Sequence, residues 1–374
     1  MATRRPAEVF PPGDFLSEEL EERGWSQTDL AAVLGRPVTV VSAIIKGKRR
    51  ITPDTAAGLA AALGTSPEFW MNLDAIYQLD RVNSKDSGAV ARRAKLYAKA
   101  PVRELIRRGW IEPSDNIDVL ERRVLSFLGV NSIDEEPEFF RHAARKSTSY
   151  DDCTPAQLAW LIRARQLAKL CQAARYSPAR LKQALERLRM LAHTPQETRH
   201  VSRVLAEAGV RLVIVQPLPG GKIDGATFWL DQHSPVVAIS LRLDRLDNFW
   251  FTLLHELKHV AEGEMAIDTD LDEPRDDDAR GPHERKADEF ASDYFITKAQ
   301  LDSFIVRVRP LYSAQRVEAF ALTMRVHPAI VVGQLQHRRE VAWSSFRKLL
   351  VPVRAIITAS TVTDGWGSEL PAGL

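Results

Sequence analysis

The sequence predicts a mainly α-helical protein with an N-terminal helical bundle, a helical spacer and a C-terminal α+β domain built on a small sheet. Apolar residues recur at helical spacing over residues 10–82 and over much of residues 83–194. Short runs rich in Val and Ile, bounded by Gly, Pro and Asp, appear beyond residue 195 and predict three strands. We therefore expect domains at 10–82 and 195–340, joined by the spacer, with a C-terminal extension at 341–374 that ends in a disordered tail.

The composition is that of an ordinary globular protein, with 45% hydrophobic and 27% charged residues. Its two cysteines, Cys153 and Cys171, predict neither a disulfide framework nor a cysteine metal cluster. This usage favours a reducing cytoplasm. No apolar run is long enough to cross a bilayer, and the N-terminus lacks the core of a signal peptide. We expect a cytoplasmic protein without a membrane partner.

The segment from residue 26 to residue 45 has the spacing of two helices joined by a tight turn. Ser26 predicts the start of the first helix, because Asp29 follows it in the capping-box position. A small residue, a glycine four positions later and apolar residues six and nine positions beyond the glycine are typical of a helix-turn-helix. Here these residues are Ala31, Gly35, Val41 and Ile44.

The outward face of the second of these helices predicts a surface for double-stranded DNA. Such a helix fits the major groove, where Thr39 and Ser42 could bond base edges and Val38 could meet a thymine methyl group. Five further residues are placed to contact phosphates, which give affinity without sequence information. They are Gln27, Lys46, Lys48, Arg49 and Arg50. The alternative is a small helical bundle whose basic run is a solvated loop.

The stretch from Gly13 to Val82 resembles the HigA-type antitoxin domain of the Cro/repressor class. The resemblance implies operator binding as a homodimer, and a toxin as a protein partner. Base preference does not carry over, because Arg36-Pro37-Val38 replaces the serine-rich start that the family usually has in its recognition helix. The matching residues are Pro12-Gly13, Leu16, Glu19-Leu20, Arg23-Gly24, Ser26-Gln27, Leu30-Ala31, Leu34-Gly35, Gly47-Lys48-Arg49, Ile51-Thr52, Ala56, Leu63-Gly64-Thr65 and Phe69-Trp70.

A second pair of motifs predicts a metal site. His255 and His259 lie four residues apart, so on a helix their imidazoles can converge on one ion, and Glu256 can take a proton from bound water. Glu284 on a later helix could complete the ligands and leave the fourth position to water. Asp288 could accept the outward ring N–H of a ligand histidine. The alternative is a buried helix with two satisfied histidines.

Together these motifs resemble the ImmA/IrrE-type metallopeptidases, whose pattern is His-Glu-x-x-His followed by Glu-x-x-Ala-(Asn or Asp)-x-Phe-Ala. The resemblance implies a minimal zincin fold, a zinc cofactor and endopeptidase activity. His327 stands in a His-Pro-x-Ile-Val segment that related proteins often have. It could donate to the oxyanion of a tetrahedral intermediate, or it could cap a helix. The matching residues of the pattern are His255, Glu256, His259, Glu284, Ala287, Asp288, Phe290 and Ala291.

Two functions compete on this reading of the sequence. In the first, a DNA-binding regulator uses its zinc site to cleave a repressor, a partner protein or a copy of itself. In the second, an antitoxin-like repressor uses its metal domain only to sense or dock a partner. Between the two metal motifs, an acidic run from Asp268 to Asp278 matches no calcium-loop spacing, and we expect it to form a solvated flap.

Overall fold

The computed structural model describes residues 9–83, 87–137, 153–269 and 281–364. It divides the chain into two compact units, residues 1–94 and residues 95–374. The predicted fold class, mainly helical with a small sheet in the C-terminal part, is confirmed. In the ranges described, no helix combines the length and the apolar character that crossing a membrane requires.

The N-terminal unit is a helical bundle around the predicted turn. Its helices are α1 (Pro12–Arg23), α2 (Gln27–Val33), α3 (Val38–Ile45), α4 (Pro53–Leu63) and α5 (Pro67–Asn83). Ser26 and Asp29 form the predicted capping box at the start of α2, with the Ser26 N–H donating to the Asp29 carboxylate at 2.8 Å. The side chains of Val41, Ile44 and Trp70 are buried in one core. The helix-turn-helix spacing is therefore confirmed.

The second unit surrounds a five-stranded sheet. Its helices are α6 (Ser87–Lys99, which begins in the first unit), α7 (Val102–Arg107), α8 (Ile117–Leu128), α9 (Pro155–Ala168), α10 (Pro178–Leu191), α11 (Val201–Ala208), α12 (Leu246–Glu262), α13 (Pro282–Asp293), α14 (Lys298–Val308), α15 (Ala314–Met324), α16 (Pro328–His337) and α17 (Arg354–Thr358). Its strands are β1 (Arg211–Ile214), β2 (Ile223–Trp229), β3 (Pro235–Ile239), β4 (Ala266–Thr269) and β5 (Val362–Thr363). The sheet has the order β4-β2-β3-β1-β5. The sequence predicts strands at Gly209–Val215, Gly225–Leu230 and Val236–Leu241, and β1 to β3 lie there, whereas β4 and β5 were not predicted.

Both faces of the sheet are covered by helices. Side chains alternate along β1, so that Leu212 and Ile214 pack in one core and Val213 packs in the other. The first core contains α10 to α12 and α14 to α16, and the second contains α7 to α9. On the second side, the indole N–H of Trp160 in α9 donates to the carbonyl oxygen of Val215 at 3.0 Å. The described residues 95–137 and 153–194, which fall in the predicted spacer at 83–194, therefore belong to the same compact unit as the sheet.

The C-terminal end of the described chain is tied into the sheet. Strand β5 pairs in parallel with β1, and the carboxylate of Asp364 accepts the Gln216 N–H at 3.1 Å. The buried guanidinium of Arg108 lies 3.6 Å from the same carboxylate. The sequence predicts that the extension at 341–374 ends in a disordered tail from roughly Ser360, but residues 361–364 are part of the fold. Residues 365–374 lie outside the described residues.

Replacing Asp364 with alanine is expected to lower the free energy of unfolding of the full chain by roughly 1.5–3 kcal/mol, the range for a hydrogen bond to a charged group. The loss arises because Arg108 loses its ion pair with Asp364 and keeps the longer contact of 3.8 Å with Glu104, while the Gln216 N–H loses its acceptor. Urea unfolding measures this change. Asp302→Ala is the control, because Asp302 pairs with Arg338 and is half exposed, so its loss should cost under about 1 kcal/mol. Equal losses in the two variants would contradict the role given to Asp364.

Candidate metal centre and nucleic-acid interface

Four side chains from three elements converge in the second unit. His255 and His259 come from α12, Asp268 from β4 and Glu284 from α13, and each offers a ligand atom within 4.8 Å of the others. The Nε2 atoms of the two histidines are 3.2 Å apart, and His255 Nε2 is 3.3 Å from Glu284 Oε2. Zinc with bonds of about 2.0–2.1 Å in a tetrahedral site has donor atoms roughly 3.3 Å apart. The cluster therefore has the spacing of a tetrahedral metal site.

Carboxylates stand behind both histidines and orient their rings. Nδ1 of His255 lies 3.0 Å from Asp288 Oδ1, which places Asp288 where the sequence predicts it. Nδ1 of His259 lies 2.9 Å from Glu264 Oε2. A ligand histidine whose Nδ1–H faces an acceptor keeps the lone pair of Nε2 for a metal. Glu264 could not be predicted from the sequence, because it sits in the turn after α12 and belongs to neither motif.

The electrostatics of the cluster favour positive charge at its centre. Burial alone would lower the pKa of His255, but the negative charge of Asp268 and the contact with Glu284 outweigh it and raise that pKa to about 10. Burial would raise the pKa of Glu284, but its hydrogen bonds to His255 and His259 hold it well below the usual range. In the metal-free site His255 therefore retains a proton near neutral pH, which a metal ion must displace.

Glu256 lies beside the cluster, in a space that β2 leaves for it. Thr227 Oγ1 is 2.7 Å from Glu256 Oε2 and holds that oxygen in place. A Cβ atom on Gly225 would come within 2.1 Å of Glu256 Oε1, so only glycine leaves room for this carboxylate. Burial raises the pKa of Glu256 well above its ordinary value. This environment suits a group that accepts and releases a proton.

His327 caps a helix. Its Nδ1 accepts the Ala329 N–H at 3.1 Å at the start of α16, and its own main-chain N–H donates to Ala192 O at 2.9 Å. Its charged neighbour is Asp247, which precedes His255 on α12 by two turns, or roughly 12 Å along the helix. Of the two roles predicted for His327, the structure supports the cap, and the catalytic assignment lacks a supporting contact.

Asp268 is the member of the cluster that the sequence analysis did not assign. It was counted with the acidic run between the motifs, whose residues from Asp270 to Asp278 lie outside the described residues. In the structure its side chain is buried, and its Oδ2 atom lies 3.4 Å from His255 Nε2. No local sequence pattern marks this position, because pairing between β4 and β2 brings it to the site.

In the N-terminal unit, the predicted DNA-binding residues lie on the accessible side of the helix-turn-helix. Val38 and Thr39 are exposed and Ser42 is half-buried, whereas Val41 and Ile44 on the same helix face the core. Arg50 is exposed as well, and its Nε atom lies 3.1 Å from the buried carboxylate of Asp74. The other predicted phosphate contacts are exposed at Lys46, Lys48 and Arg49 and half-buried at Gln27.

Comparison with known proteins identifies this unit. Residues 16–70 match the family model for a helix-turn-helix. The HTH-type transcriptional regulator YddM of Escherichia coli is 32% identical over 68 residues, which cover 18% of this chain and 72% of that protein. The chain belongs to the helix-turn-helix family.

Two further members of this family show the same similarity. Antitoxin HigA-1 of Vibrio cholerae is 42% identical over 71 residues, which cover 19% of this chain and 64% of the antitoxin. A solved HigA-family antidote protein from Coxiella burnetii is 39% identical and covers 22% of this chain and 92% of its own, with a TM-score of 0.22. The family model ends at residue 70, so the resemblance of the metal centre to ImmA/IrrE-type peptidases stays a prediction.

Gly225→Ala should destabilise the protein by about 1–3 kcal/mol, because its methyl group would overlap the Glu256 carboxylate. In a Glu256→Ala background the same change should cost much less, because the space is then empty. Urea unfolding of the four proteins in this double-mutant cycle measures the coupling. Additive effects would show that Gly225 and Glu256 do not share this space.

Proposed function

We propose that the protein is a DNA-binding transcriptional regulator whose second unit holds a zinc ion in a peptidase-type centre. The observation that carries the enzymatic half is the convergence of His255, His259 and Glu284, with Glu256 buried beside them. The regulatory half rests on membership of the helix-turn-helix family and on relatives described as a transcriptional regulator and an antitoxin.

The N-terminal unit is proposed to bind an operator through α3. The exposed Val38 and Thr39, with Ser42 beside them, present one apolar and two hydroxyl groups to the major groove. Lys46, Lys48 and Arg49 follow at the end of the helix, within reach of phosphates. Two copies of the chain would read a palindromic site, since the symmetry of the half-sites matches that of a homodimer. A toxin is the protein partner that the antitoxin-like relatives suggest.

The residues of the second unit fit zinc, which takes nitrogen and carboxylate oxygen ligands in tetrahedral sites. Asp268 Oδ2 and Glu256 Oε1 are buried and make no hydrogen bond in the described part of the chain, as expected of atoms that face an ion or a reacting group. When bound, the metal would supply a Lewis acid that makes water a nucleophile near neutral pH.

The chain's own residues would supply the rest of the chemistry. Asp288 and Glu264 hold the two imidazoles so that Nε2 faces the ion. Thr227 fixes one oxygen of Glu256, and the other oxygen remains to take the proton of the attacking water and deliver it to the leaving amine. The substrate class that this arrangement serves is a peptide bond in a repressor, a partner protein or a second copy of the chain.

A non-proteolytic function has one specific observation in its favour. The carboxylate of Asp268 lies near the fourth corner of the site, which the peptidase prediction leaves to water. A metal bound by four protein ligands has no open position for water, so it would have a structural, sensing or docking role rather than a hydrolytic one. Experiments on Glu256 separate the two functions, because this residue is needed for proton transfer and not for holding the ion.

Purified full-length protein is expected to carry about one zinc ion per chain. His255→Ala and Glu284→Ala should lose the ion, whereas Glu256→Gln should retain it. Asp288→Ala and Glu264→Ala should weaken zinc binding roughly ten- to a hundredfold, because the histidines lose their orientation. Affinity should fall as the pH is lowered, because zinc must displace the protons that the histidines hold. Chelator competition measures these affinities, and full zinc in His255→Ala/His259→Ala would refute the site.

DNA binding of the full chain should separate phosphate from base contacts. Lys48→Ala and Arg49→Ala should weaken specific and random DNA alike and each reduce the salt slope by about 1. Thr39→Ala and Ser42→Ala should instead change the preference among operator sequences. Arg50→Ala should weaken both DNAs less than Lys48→Ala, because part of its guanidinium is engaged by Asp74. Fluorescence anisotropy over a salt series checks this, and indistinguishable effects of Thr39→Ala and Lys48→Ala would contradict the placement of α3.

Glu256→Gln distinguishes a protease from a binding protein in cells. An active peptidase should lose about a hundred- to ten-thousandfold in rate when proton transfer is removed. Promoter output should then stay repressed under inducing stress, with the repressor intact, while DNA binding by the variant is unchanged. Reporter assays and immunoblots beside wild type measure both quantities. Normal induction with an uncut repressor in both strains would exclude the protease function.

A further inference from the structure

Asp268 reaches the metal centre from an element that neither metal motif contains. We propose that Asp268 is a fourth protein ligand, which closes the site and leaves the bound metal no open corner in the resting protein. This inference rests on the proposed metal site and adds to it a ligand and a regulated state. On this proposal, the site only holds the metal while Asp268 is bound, and hydrolysis would require the Asp268 carboxylate to be displaced.

The distances place Asp268 and Glu284 in similar relation to the two histidines. Asp268 Oδ2 lies 3.4 Å from His255 Nε2 and 4.0 Å from His259 Nε2. The oxygens of Glu284 lie 3.3 Å and 3.6 Å from the same two nitrogen atoms. Donor atoms in tetrahedral zinc sites are separated by roughly 3.3 Å, as follows from the bond lengths. One ion can therefore be shared by all four side chains with small adjustments.

The surroundings of Asp268 indicate that its carboxylate faces a cation. The residue is only 5% exposed, and Oδ2 makes no hydrogen bond in the described part of the chain. It faces the His255 imidazole at 3.4 Å, and proteins pair buried carboxylates in this way or use them to bind metals. Two carboxylates, from Asp268 and Glu284, balance a divalent ion between two neutral imidazoles.

The sheet fixes Asp268 in this position. Strand β4 pairs antiparallel with β2, and Asp268 lies opposite Gly225, the residue that leaves room for the Glu256 carboxylate. The chain reaches β4 directly after α12, through a turn at Gly263 with a left-handed φ of 73°. The ligand histidines, the predicted base and Asp268 are thus connected by one short helix–turn–strand segment. Asp268 is held by strand pairing rather than by a loop.

A closed site changes what the metal can do. Structural zinc sites have four protein ligands, whereas catalytic sites keep one position for water or substrate. With Asp268 bound, Glu256 has no metal-bound water to deprotonate. A water molecule or a peptide carbonyl would reach the ion only in place of Asp268. The edge of β2 beside the site is likewise taken by β4, so an extended substrate could not pair there unless β4 moved.

The test uses purified full-length protein loaded with cobalt(II) in place of zinc, with acetohydroxamate as a probe that needs an open position on the metal. The visible spectrum of the wild-type protein should not change when acetohydroxamate is added. Asp268→Ala should show an altered spectrum before addition and a further change on addition. Its zinc affinity by chelator competition should fall by at least about tenfold, the lower limit for losing even an orienting residue. Asp268→Asn, which keeps the shape of the side chain, should be intermediate and serves if the alanine variant folds poorly.

Asp302→Ala is the matched control, because this aspartate is half exposed, pairs with Arg338 and is expected to leave both readouts unchanged. A wild-type spectrum that responds to acetohydroxamate as strongly as that of Asp268→Ala would overturn the closed site while the zinc site stood. Unchanged zinc affinity in Asp268→Ala and Asp268→Asn would overturn it as well. Failure of the wild-type protein to bind either metal would instead refute the proposed metal function itself.

Discussion

The burial of charge against one helix, α12, is the constraint on which the second unit depends. Two imidazoles and the carboxylates of Glu256 and Asp268 are almost fully removed from solvent at one end of an apolar core. Unpaired charges in such a place would destabilise the fold by several kcal/mol each. The contacts of these groups with Thr227, Asp288, Glu264 and Glu284 are therefore needed for the stability of the fold as well as for the proposed chemistry.

The architecture around α12 supplies those contacts. The helix packs on β2 and β3 through its apolar side, and β2 offers Gly225 and Thr227 at the one place where Glu256 meets the sheet. The small residues Ala287 and Ala291 are buried on α13, where bulkier side chains would hold Glu284 away. The second core, under α7 to α9, keeps the opposite face of the sheet dry. A precise site thus depends on residues predicted to be only a spacer.

The sequence predicted what is encoded within a single element. His255, Glu256 and His259 share one helix, and Glu284 and Asp288 share another, so helical spacing alone placed them correctly. Asp268 and β5 could not be found in this way, because their positions come from pairing with strands that are distant in the chain. The packing of residues 95–194 was missed for a related reason. Strand β1 is apolar at Leu212, Val213 and Ile214, which indicates that both of its faces are buried. The sequence does not show which helices cover each face.

The N-terminal unit was easier to predict, because its spacing is local and family comparison identifies it independently. The candidate metal centre is harder to interpret. All residues of the predicted peptidase motif are present, but their presence does not decide whether the site hydrolyses a substrate. In the proposed metal site, turnover would depend on whether a fourth ligand position is free, and that would depend on the register of β4 on β2. A carboxylate held by strand pairing competes with water at an effective concentration that no exposed acid could reach. For the proposed site, the choice between hydrolysis and metal holding would therefore lie in how firmly β4 is paired rather than in the histidines.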